Sequence, residues 1–110
     1  MSQYFPTEAE CGRHTIFPGV HIKTSACEKM MVSIVDLEPN SVVEEHAHPH
    51  EQVLVVLTGR VRMKIGGETY ELGPREVAHM PPNVPHSLQA LEDTEVLSAK
   101  GIVGGVGHRI

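Results

Sequence analysis

No run of apolar residues in this chain of 110 approaches the roughly 20 that a transmembrane helix requires, so a membrane-spanning helix is not expected. The first six residues, Met1 to Pro6, lack the basic and long apolar regions of a secretory signal, and a cytoplasmic protein is the expectation. Cysteine is scarce. With only Cys11 and Cys27 there is no disulfide framework, and without export two free thiols are favoured over a bridge. Basic residues number nine against 14 acidic ones, for a net charge of −5, and none form a run able to follow a phosphate backbone. Nucleic acid is therefore not an expected partner. Tryptophan is absent, but 40% hydrophobic residues is ordinary for a globular protein. No stretch of about 12 residues carries helical spacing, and no internal repeat or low-complexity segment is present.

What remains is strand and turn. The length predicts one domain, 1–110, with a real core, yet small enough that pairing with a second copy would add stability. Residues 1–20 keep no period and are punctuated by Pro6, Gly12, Pro18 and Gly19, predicting an N-terminal arm with at most one short strand. From residue 101 to 110 four glycines predict a loose tail. Between them, short alternating segments are separated by turn signals such as Glu38-Pro39-Asn40-Ser41, Gly66-Gly67 and Gly73-Pro74-Arg75-Glu76. About eight short strands point to an all-β barrel or sandwich. In the segment Met30 to Leu37 both faces are apolar, so periodicity does not say which one meets the core. Arg60, Arg62 and Lys64 share a face opposite Val61, Met63 and Ile65, which reads as a solvated row rather than an anion site.

The chemistry concentrates in His46 to Gly59, H-A-H-P-H-E-Q-V-L-V-V-L-T-G. His46 and His48 are two apart, so on an extended strand both imidazoles leave one face and can converge on one ion. Gln52 supplies an oxygen donor four residues on, and His86, beyond the rigid Pro81–Pro85 loop, supplies a third imidazole from a distant strand. Three neutral imidazoles and an amide oxygen fill four positions around a divalent transition metal, such as Zn, Ni, Fe or Mn, and leave one or two open for substrate. With no carboxylate among the four, the ion keeps its full positive charge, which favours a Lewis acid over a redox centre.

These two parts resemble the cupin superfamily. Its first motif, H-x-H, three residues, Glu, six residues, Gly, is matched by His46, His48, Gln52 and Gly59, with Gln for Glu. Its second, P-x-G-x-x-H, is matched by Pro81, Asn83 and His86, Asn being the common substitute for a left-handed glycine; Arg75 stands where that motif usually opens with Gly. The resemblance implies a single-domain cupin barrel, jelly-roll-like, with the metal inside and a homodimeric assembly. The string H-P-H-E-Q is most similar to the small cupins of the KdgF type, pectin-degradation proteins that hold a divalent metal with three His and one Gln. Those proteins help to convert 4,5-unsaturated uronates into linear keto sugars. They carry an acid and an aromatic on the last barrel strand, where this chain has Ser98 and Lys100.

The resemblance therefore implies a metal-dependent enzyme that binds a small oxygen-rich substrate, a sugar acid, and catalyses isomerisation or ring opening. Iron-dependent oxygenation and a non-catalytic sugar or metal sensor are the alternatives. Candidate catalytic residues are His50, His79, Ser98 and Lys100. His50 follows Pro49, which should break the extended path and leave the imidazole at a rim or in solvent. His79 could shuttle protons but lies on a half-buried strand, where a structural role is favoured. Glu51 should face away from Gln52, and the methionines read as flexible core filler.

Overall fold

β-Branched and aliphatic residues in alternation build the strands, and Gly, Pro and Asn end them. The computed structural model describes Ser2 and residues 4–103. After a 3-10 turn at Glu8–Glu10 come β1 (Gly12–Phe17), β2 (Val20–Ala26), β3 (Met30–Leu37), β4 (Val42–His46) and β5 (Gln52–Thr58). Then follow β6 (Val61–Ile65), β7 (Glu68–Leu72), β8 (Val77–Met80), β9 (His86–Ala90) and β10 (Thr94–Gly101). All pairings between them are antiparallel, in a six-stranded sheet ordered β1-β2-β3-β10-β5-β8 and a four-stranded sheet ordered β4-β9-β6-β7.

The pairing is nested. β3 meets β10, β4 meets β9, β5 meets β8 and β6 meets β7, so the chain folds back on the β6–β7 hairpin as a jelly roll does. This nesting carries chemistry, because it lays residues some 40 apart in sequence side by side. The hairpin turn is Gly66-Gly67, with both φ angles positive, as expected for two residues bridging antiparallel strands. Asn40, Arg75 and Asn83 also take positive φ, 67°, 70° and 65°. Gly59, φ 87°, lies so close to the Asp93 carbonyl and Thr94 Oγ1 that a Cβ has no room, which accounts for a glycine ending the first motif.

Between the sheets the core is aliphatic. Val20, Ile22, Val35, Leu37, Val56 and Val96 of the larger sheet pack on Val43, Val61, Met63, Leu88 and Ala90 of the smaller. Each fully buried Val, Leu or Met contributes about 1.5–3 kcal/mol through burial. The ambiguity of β3 is resolved by pairing: Met31, Ser33, Val35 and Leu37 face in, and Met30, Val32, Ile34 and Asp36 face out. Arg60 and Arg62 lie outside and pair with Glu71 at 3.3 and 3.1 Å, as a solvated row should. These two guanidiniums, Arg62 first, hold the Glu71 carboxyl below its usual value.

Within the expected arm, residues 12–17 form β1, which extends the larger sheet through β2. Of the expected tail, Gly101 closes β10 and residues 104–110 lie outside the described residues. Both cysteines are free, Cys27 exposed and Cys11 half-buried. Among the described residues no helix is long and apolar enough to cross a membrane.

Candidate metal centre

The site forms where one end of β4 meets one end of β9. His46 and His86 are cross-strand partners, separated from the Val43–Leu88 pair by a bulge. The bulge matters. Strict alternation would put Val43 and His46 on opposite faces, but the extra residue turns both Glu44 and Glu45 outward and brings His46 back to the interior. β4 ends there, so His48 stands on the following loop rather than on the strand with His46 as the sequence suggested. Pro49 bends the chain, and the bend carries both His48 and His50 inside, each 4% exposed.

Ring centroids of His46 and His86 are 4.4 Å apart, those of His48 and His86 4.9 Å, and those of His46 and His48 5.6 Å. One ring nitrogen from each lies within 4.8 Å of the others. Backbone carbonyls decide which nitrogen that is. His46 Nδ1–H donates to the Glu44 carbonyl at 2.8 Å, His48 Nδ1–H to that of His50 at 2.9 Å, and His86 Nδ1–H to that of Val84 at 2.9 Å. A neutral imidazole has one N–H, so each ring turns an Nε2 lone pair to the shared space, the arrangement typical of metal-binding histidines.

Gln52 enters from the first residue of β5 and is 4% exposed. Its Nε2 donates to Ser98 Oγ at 2.7 Å, so its Oε1 faces His48 Nε2, 3.0 Å away. Two lone pairs meet at that distance. A cation that accepts both makes the contact favourable, and this donor set therefore fits a divalent metal held by His46, His48, His86 and Gln52. Behind these residues lies an apolar cavity of about 30 Å³ lined by Val35, Leu54, Met63, Met80 and Val96, with room for a water molecule or two.

The remaining candidates separate by strand parity. Ser98 and Lys100 both point inward on β10, at 3% and 2% exposure. Ser98 sits beside Ser33, whose hydroxyl is 2.8 Å from that of Thr24. Lys100 stands opposite Gln52, and burial pulls its ammonium down from 10.5 to about 7. Two expectations are corrected. His50 is not at a rim or in solvent, because the Pro49 bend re-enters the barrel; its ring centroid is 5.4 Å from that of His48. His79 is exposed on the outer face of β8, between the inward Ala78 and Met80, and so stands outside the cavity. The carbonyls of Glu44, His50 and Val84 were not anticipated, since a backbone acceptor leaves no trace in side-chain identity. Their only signal is spacing, each two residues from its histidine.

The comparisons with known proteins agree with this fold. The Cupin_2 family model, a cupin domain, matches residues 33–99. H2HPP isomerase of Bacillus subtilis is 36% identical over 61 residues, 54% of this chain and 26% of that protein, so the match spans about a quarter of that relative's length. An RmlC-like cupin from Shewanella frigidimarina superposes with a TM-score of 0.82 at 19% identity over 91% of each chain. KdgF from Halomonas sp. superposes with a TM-score of 0.78 at 26% identity, covering 86% of this chain and 89% of its own. Because the family match takes in more than half of the residues and both sheets of the barrel, the chain belongs to the cupin domain family.

Proposed function

We propose that this cupin is a metal-dependent enzyme that binds a small sugar acid at a centre made of His46, His48, Gln52 and His86 and catalyses its isomerisation or ring opening. The observation that carries the reading is the convergence of three imidazoles whose Nδ1 atoms are all held by backbone carbonyls, with Gln52 Oε1 turned to the same point. Likeness to KdgF supports the sugar acid, and likeness to an isomerase supports the reaction class. When bound, a divalent ion supplies Lewis acidity toward a carbonyl or hydroxyl oxygen.

The chain's own groups would orient the substrate and move its proton. No Asp or Glu is buried among the described residues, so the acid that KdgF-type cupins carry has no counterpart inside this barrel. His50, buried with its ring centroid 5.4 Å from that of His48, stands beside the ligand set, and proton movement is assigned to it. The inner cavity is too small for a sugar, so the substrate meets the centre from the barrel mouth, past the half-exposed His46. The lack of an interior carboxylate favours a second reading, a sugar-acid sensor that holds its ligand without turning it over.

The protein acts as a homodimer in the cytoplasm, pairing through the outer face of the larger sheet. His48→Ala should remove bound metal, read by elemental analysis. Metal-loaded wild type incubated with a 4,5-unsaturated uronate should consume the ring double bond, read by its ultraviolet absorbance. Metal retained by the variant sinks the centre; a bound but unaltered uronate moves the assignment to the sensor.

A further inference from the structure

A lysine between two β-sheets either gives up its proton or needs an anion beside its ammonium. Lys100 is 2% exposed, and its Nζ has no hydrogen-bond partner among the described residues. It points inward because it shares the parity of Thr94, Val96 and Ser98 on β10. Directly across on β5 stands the metal-ligand candidate Gln52, and residues so opposed have Cβ atoms about 5 Å apart. Lys100 is thus level with the histidine cluster and above the aliphatic core. Its other cross-strand neighbour is Met31, which offers no charge.

The interior offers none either, since every Asp and Glu among the described residues is exposed or half-buried. Ser98, one inward position deeper, is already engaged by the Gln52 amide. Buried charges in proteins are paired with an opposite charge or bound to a metal. In its cationic form Lys100 therefore calls for an anion from outside the chain.

We infer that Lys100 is the anion-recognition residue of this barrel, pairing its Nζ with the carboxylate of a small acid whose neighbouring oxygen is held at the centre formed by His46, His48, Gln52 and His86. The inference rests on the proposed metal centre and deepens it. It makes the carboxylate, not the sugar hydroxyls, the group that selects the substrate. A buried, charge-assisted hydrogen bond of this kind changes affinity by about tenfold to a hundredfold.

Calorimetric titration of D-galacturonate, and separately of its uncharged methyl ester, into the metal-loaded full chain tests this. Wild type is expected to bind the acid at least about tenfold tighter than the ester. Lys100→Met should weaken acid binding by a similar factor while leaving ester binding and metal content unchanged. Equal affinity of wild type for acid and ester, no measurable binding of the acid, or an undiminished acid preference in the variant would each overturn the inference. The comparison within wild type stands whether or not the variant folds. Elemental analysis separates the two readings: wild type without stoichiometric metal loses the centre and this role together, whereas full metal without acid preference removes only the role of Lys100.

Discussion

Ser98 lies on the inner face of β10, and its hydroxyl accepts from the Gln52 amide nitrogen at 2.7 Å. A glutamine ligand has a difficulty that a glutamate does not, because its two ends differ and only the oxygen can bind a cation. The Ser98 contact resolves it by engaging the nitrogen and leaving Oε1 toward His48. Ser98→Ala is therefore expected to weaken metal binding by about tenfold or more, as loss of an outer-sphere partner commonly does, with Ser98→Thr retaining it. Competition with a chelator measures this, and equal affinity in wild type and the alanine variant would refute the role. The four ligand candidates were legible from the sequence because two motifs that resemble the cupin pattern carry them. Their tautomers were not, since these depend on carbonyls placed by the folded backbone.

At the scale of elements, the bulge in β4 and the bend at Pro49 decide where the histidines go. The sequence reading put His46 and His48 on one strand face by counting two residues, and the convergence is real, but a bulge and a loop produce it. Bulges escape prediction because any residue can take the required conformation. Left-handed turn positions were more legible. Asn83 was read as a substitute for a left-handed glycine and has φ 65°, and Asn40 in the Pro-Asn turn has φ 67°.

Arg75, at φ 70°, occupies the same region with a side chain poorly suited to it. Arg75→Gly should relieve that strain and stabilise the protein by about 1 kcal/mol, some 4 °C in melting temperature. A thermal melt that fails to rise would show that the turn bears no strain.

At the scale of the molecule, the outer face of the larger sheet is apolar across four strands. Val32 and Ile34 on β3, Leu97 on β10, Val53 and Val55 on β5 and Val77 on β8 form adjoining rows, with Met30 53% and Val77 47% exposed. Such a face on a protein this small suits a second copy of the same sheet. Leu97→Lys, at its centre, is expected to convert a dimer to a monomer, as read by light scattering on a sizing column. A wild-type protein that already runs as a monomer would end the dimer reading.

The sequence by itself determined the class of the fold and named the ligand candidates, because strand alternation and turn residues are local properties and His46, His48, Gln52 and His86 fall in two short motifs that resemble the cupin pattern. Only the tertiary structure decided that His50 and Lys100 are buried and that His79 is outside. Burial of a polar side chain depends on which face a strand turns to its partners, and that is set by pairings between residues tens of positions apart.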